Sequence, residues 1–223
     1  MAFNQPAVSR TTESALATNK VLRNTYSLLS MTLLFSALMA ALSMYIQTSP
    51  MTYLWSIGGA FLLIWLVLPR TANSAAGIWV VFAITGLMGF ALGPILSQYL
   101  ALANGAQLIM TALGGTGVIF LGLSGYALTT KRDFSFLGGM LFVGLLVLLL
   151  AALGNIFFEI PALSLAISAA VILLFSGFIL YDTSRIINGG ETNYLMATVA
   201  LYLDIFNIFI HLLNLLGALS GDD

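Results

Sequence analysis

The chain has no cysteine, a single histidine and only 7% charged residues, and each scarcity excludes something. Without cysteine there are no disulfides, no thiolate metal sites and no thiol nucleophile, and the redox compartment leaves no trace. A soluble domain carries about 25% charged residues, so a chain this poor in charge could not cover itself with a water-facing surface. The net charge of −1 and the absence of any lysine or arginine cluster longer than two residues leave no basic field for nucleic acid. No phosphate loop, nucleophile elbow or HExxH occurs, so neither an enzyme nor a bound cofactor is expected.

What the sequence does have is apolar length. Hydrophobic residues make up 60% of the chain, in unbroken runs where a water-exposed face would demand alternating or 3.6-period stripes. A spanning helix takes about 20 apolar residues, and seven runs qualify: 24–46, 51–68, 76–99, 106–129, 134–157, 161–187 and 194–217. The fold class expected is therefore an all-α integral membrane protein of seven transmembrane helices, with the bilayer as its solvent. Residues 1–23 form a polar tail, 24–217 the membrane domain and 218–223 a short second tail. The first apolar run is too long for the h-region of a cleavable signal and is expected to stay as a span.

Orientation follows from positive charge, because short loops rich in lysine and arginine are retained in the cytoplasm. Arg10, Lys20 and Arg23 precede the first span, Arg70 follows the second, Lys131 and Arg132 follow the fourth, and Arg185 ends the sixth. With seven spans all of these lie on one side. The amino terminus is expected in the cytoplasm and the carboxy terminus outside.

Small residues let membrane helices approach closely. Gly89 and Gly93 form a GxxxG in the third span, Gly114, Gly115, Gly117, Gly122 and Gly125 thin the fourth, and Gly138, Gly139 and Gly144 thin the fifth; tight packing is their expected use. Pro94 is expected to bend the third span.

Ionisable groups inside a span are costly and face a partner, water or the bundle interior. Asp182 lies near the cytoplasmic end of the sixth span, and Asp204 about ten residues, or roughly 15 Å, into the seventh. At about 100° per residue, Asp204, Asn207, His211 and Asn214 share one face of the seventh helix. That stripe either lines a wet interior or forms interhelical hydrogen bonds that only hold the bundle. The first alternative makes Asn207, His211 and Asn214 pore-lining candidates. Two carboxylates in one poorly hydrated site cannot both ionise easily and tend to share a proton, which makes a pH sensor. Deprotonated, the pair offers hard oxygen ligands suited to calcium. A hairpin turning near Gly190 leaves about 7 Å of offset between the two acids. Arg70 is placed either to reach Asp182 as a counter-ion or to snorkel to the interface, and Arg185, at i,i+3, competes with it.

These residues resemble the Bax inhibitor-1 family, and within it a bacterial, YccA-like branch. The resemblance covers nearly the whole chain. It rests on Lys20-Val21-Leu22-Arg23-Asn24-Thr25-Tyr26, on Gly89-Phe90-Ala91-Leu92-Gly93-Pro94, on Leu128 to Gly139 around Lys131-Arg132-Asp133, and on Gly189-Gly190-Glu191-Thr192-Asn193-Tyr194. It implies a central seventh helix wrapped by the other six and a pH-sensitive calcium leak of the bacterial inner membrane. In that scheme Asp182 and Asp204 are the paired acids and Arg70 latches the closed state through Asp182. The branch is also associated with modulating a membrane-bound AAA protease, for which residues 1–23 would be the docking tail. The expected partners are thus the lipid bilayer, calcium, protons and such a protease. Peptide cleavage by intramembrane aspartates is disfavoured, since Leu201-Tyr202-Leu203 stands where Gly-x-Gly should precede Asp204.

Overall fold

The computed structural model describes residues 8–221, with side chains in the first helix from Thr18 onward, Asn19 apart. Residues 1–7, the side chain of Arg10 and the terminal Asp222 and Asp223 lie outside the described residues.

All seven expected spans are helical: α1 (Val8–Tyr45), α2 (Met51–Thr71), α3 (Ala76–Leu100), α4 (Gly105–Thr130), α5 (Gly138–Phe158), α6 (Pro161–Ile187) and α7 (Tyr194–Leu219). Each is long and apolar enough to cross a bilayer, and no strand occurs among the described residues. In hydrocarbon every backbone group must be paired within its own segment, which is why the runs fold as helices whatever their β-branched content. The apolar stretch of α1 begins at Lys20, but its helix starts at Val8, so the second half of the polar tail continues the span without a break.

The ends follow local chemistry. Gly189, at φ +75°, takes the left-handed position after α6, and the N–H of Gly190 returns to Arg185 O at 2.8 Å, closing orphan carbonyls as a glycine cap does. Asn193 then caps α7 by accepting from the N–H groups of Leu195 (2.9 Å) and Met196 (3.2 Å). Outside the spans, the backbone N–H of Ser135 donates to Asp133 at 2.8 Å and holds that carboxyl below its ordinary range.

Packing is uneven. α7 lies against α1, α3, α4 and α6, while α2 packs on α3 and α5 on α6. The expected wrapping of α7 by six helices is therefore met by four, and α2 and α5 form an outer layer. The reason is legible in α5, which is Leu, Val and Phe on every side and leaves most of them exposed to lipid. The most buried helix is α3, through which the chain runs unbroken past Pro94.

The glycines divide into two sets. A Cβ on Gly89 or Gly93 would run into Ser36 or Ser43 of α1, and one on Gly144 would meet Leu174. By contrast, a Cβ on Gly114, Gly117, Gly122, Gly125 or Gly139 would have nothing within 4 Å. The close-packing expectation thus holds for the GxxxG of α3 and for Gly115, Gly138 and Gly144, but not for most of α4. Gly89→Ala should lower stability by about 1–3 kcal/mol through overpacking against α1, while Gly114→Ala should be neutral or slightly stabilising; thermal unfolding in detergent separates the two.

Candidate functional site: the acid pair between α6 and α7

Asp182 stands five residues before the end of α6, and Asp204 ten residues after the start of α7. The helix rise makes that an offset of about 7 Å, which residues 188–193 take up by carrying the start of α7 beyond the end of α6. The two carboxyl groups consequently meet within hydrogen-bonding reach of each other. Asp204 is buried, with 3% of its surface exposed, and its Oδ2 has no hydrogen-bond partner.

The charged groups that face Asp182 are Arg185, Glu191 and Asp204. Arg185 is held by Gly190 O (3.2 Å), by Glu191 (3.6 Å) and by the ring of Tyr181, 5.6 Å from its centroid. Arg70 is elsewhere: it is exposed and its guanidinium donates to Leu66 O of its own helix. The expected Arg70 latch is therefore not made in this structure. The carbonyl it meets lies in a π-helical turn, Leu63–Val67, just before Pro69, where the regular ladder is interrupted and carbonyls are left to be satisfied by other donors. α2 also packs on α3 and not on α6, so the arginine beside Asp182 is the local one.

The polar stripe of α7 does not converge on one channel. Asn207 donates to Leu203 O of its own helix at 2.8 Å. His211 shares a 3.1 Å hydrogen bond with Ser168 of α6, and Asn214 is exposed. Of the three pore-lining candidates, one back-bonds, one ties α7 to α6 and one faces outward, closer to the bundle-holding alternative.

Hydroxyls elsewhere on α6 and α7 tie the bundle together. Thr183, next to Asp182, lies 3.4 Å from Tyr26 of α1 and 3.3 Å from Ser124 of α4. Thr198 bonds Thr25 O at 3.4 Å. Ser36 and Tyr202 are 2.6 Å apart, and the tyrosine donates onward to Thr85 O at 3.3 Å. None of these side chains stood out in the sequence, because Ser and Thr are common in membrane helices and only the fold brings them together. Among the described residues no third His, Asp or Glu joins the acids to make a metal-binding group. The pair by itself is short of the six to eight oxygens, roughly, that calcium takes.

Two further clamps fix the loops at this end. Ser184 donates to Arg132 O (3.1 Å) and accepts from the N–H of Phe134 (2.9 Å). Asn193 donates to Ala72 O (2.9 Å) and Asn73 (3.0 Å). The loop that follows Arg70 and the loop carrying Lys131 and Arg132 thus close on the ends of α7 and α6, which puts these cations and Arg185 at one end of the bundle.

Seven membrane-spanning helices with one buried and one half-buried acid between the last two define a polytopic α-helical membrane protein. Residues 18–221 match the family model for "Inhibitor of apoptosis-promoting Bax1", and the chain belongs to the Bax inhibitor-1 family, in its bacterial YccA-like branch. It is 50% identical over 223 residues to an uncharacterized membrane protein of Vibrio cholerae, covering 99% of this chain and 100% of that one. It is likewise 50% identical over 209 residues to the Escherichia coli protein named modulator of FtsH protease YccA, 94% of each chain. A Campylobacter jejuni protein is 37% identical over 209 residues, 90% of this chain and 89% of its own. An Escherichia coli relative of the same identity is named an inner membrane protein, and this chain is a multi-pass inner membrane protein.

Removing the Ser184 hydroxyl leaves the part-buried N–H of Phe134 without its partner, a loss of about 1 kcal/mol. Ser184→Ala should therefore speed hydrogen exchange at the amides of residues 132–137 selectively, leaving those of α3 protected.

Proposed function

We propose that this protein modulates a membrane-bound AAA protease in the bacterial inner membrane, without itself cutting peptide bonds. The observation that carries the reading is the 50% identity, over 94% of both chains, to the relative named modulator of FtsH protease. In this reading the lysine- and arginine-rich end faces the cytoplasm, the carboxy terminus lies outside, and the segment before Arg23 docks on the protease. The continuity of α1 from Val8 into the span favours that role, since a contact on the tail is transmitted to the bundle by an unbroken helix. The full chain should co-isolate with FtsH and lengthen the half-life of a membrane substrate of that protease when overproduced. Deleting residues 1–20 should abolish both effects; control that persists after the deletion would remove the tail as the docking element.

A second reading, compatible with the first, is a pH-sensitive calcium leak gated by the acids. The contact between Asp182 and Asp204 supports it, because two carboxyls in one buried site respond to protons and offer oxygen ligands to a passing cation. Calcium is then cargo, Asp182 and Asp204 its ligands, and Arg185 and Glu191 the charges that bias them. Arg70 would act as the latch only after rearrangement of α2, for which the π turn at Leu63–Val67 is the place to yield. In proteoliposomes Asp204→Asn should abolish the pH dependence of calcium flux. An unchanged titration in that variant would eliminate the mechanism.

A further inference from the structure

The helices α1 and α4 touch at one level and part at another. The rings of Tyr26 and Phe120 lie 6.0 Å apart, centroid to centroid. From there toward Met44 and Ile109 a cavity of about 360 Å³ opens between the two helices. Its walls are Leu33, Ala37, Ala40 and Met44 on one side and Leu113, Gly117 and Phe120 on the other, with Ile205 and Phe209 of α7 as floor. A second pocket of about 230 Å³ shares Met44, Leu96 and Ile109 with it and continues to Leu100, Ala106 and Met110, at the end of the bundle opposite the cations. Asp182 and Asp204 line neither.

The geometry points to a binding slot for one lipid acyl chain. The lining is almost wholly apolar, and its hydroxyls are already spoken for: Ser36 bonds Tyr202, and Thr116 donates to Ala112 O at 2.7 Å. Water needs two to four polar partners, roughly, in such a space, and none is offered. An extended hydrocarbon chain matches its apolar lining and its length. From Leu33 to Met44 the slot runs about 16 Å along α1, close to half of a hydrocarbon core about 30 Å thick, which is the reach of a chain anchored in the nearer leaflet.

The mouth is continuous with the lipid-facing surface, since Met110 and Leu113 at its rim are 73% and 56% exposed. Gly117 lines the slot, yet a Cβ there would meet nothing within 4 Å. It does not serve helix packing; it keeps space open.

The test uses the full chain in vesicles of phosphatidylethanolamine and phosphatidylglycerol, with a phosphatidylethanolamine whose acyl chain carries a photoreactive diazirine. Crosslinks mapped by mass spectrometry should concentrate at residues 33–44 and 109–120 above the level at freely exposed Leu150 of α5. Gly117→Phe, which fills the slot from α4, and Ala37→Phe, which fills it from α1, should each cut slot labelling by about tenfold by excluding several methylene groups, with labelling at Leu150 unchanged. The Leu150 signal and a monodisperse elution profile report that each variant is folded. Labelling of the slot no stronger than that of α5, labelling insensitive to both fillings, or a protein crosslinked in the slot in native membranes would each overturn the proposal.

Discussion

In a bundle surrounded by hydrocarbon, a polar side chain has no water to fall back on, so each must find its partner within the protein. That constraint organises this molecule. Threonines bond carbonyls of their own helices, as Thr85 does with Val81 O at 3.0 Å and Thr116 with Ala112 O. Longer reaches cross between helices, from Ser36 to Tyr202 and from His211 to Ser168. The carboxyl of Asp204 is the group that the rule serves least well. One oxygen has no hydrogen-bond partner and its nearest charged neighbour is another acid. A buried carboxyl left this way is expensive, and a chain with so few charges has placed two of them together.

The cost is contained by where the rest of the charge sits. Arg185 is within electrostatic reach of Asp182 but is shared among Glu191, Gly190 O and the Tyr181 ring. It biases Asp182 without forming a dedicated pair. A dedicated Arg–Asp bridge in a low-dielectric setting would fix one ionisation state firmly; a shared arginine leaves the acids open to change. The hydroxyls of Tyr26, Ser124 and Thr183 tie α1, α4 and α6 together one residue along α6 from Asp182.

The spans could be located from composition because apolar length in a bilayer leaves the backbone one solution, and all seven appear within a few residues of the expected bounds apart from the early start of α1. The meeting of Asp182 with Asp204 was legible from helical rise once the loop at 188–193 is allowed to take up the offset. Arg70 was not legible, because its destination depends on which helix α2 packs against and on a π turn that leaves Leu66 O available. Nor was the fate of Asn214, since a helical wheel gives a shared face but not what covers that face at each level. The glycines of α4 misled for a related reason: a small residue marks a place where backbone can come close, and equally one where a cavity is kept.

α7 shows how one helix can serve two environments. Around its axis, Asp204 and His211 point toward α6, whereas Tyr202, Ile205, Phe206 and Phe209 fall on the far side and face the apolar cavity between α1 and α4. Polar and dry compartments are thereby separated by the thickness of a single helix. A cation moving past the acids would have no reason to enter the cavity, whose hydroxyls are already bonded, and a hydrocarbon chain would gain nothing beside the acids. Because both compartments take α7 as a wall, any rotation of that helix alters them together, and by linkage whatever occupies one biases the state of the other. On the two proposals above, α7 is the one element that would answer both to protons at the acids and to a hydrocarbon chain in the cavity.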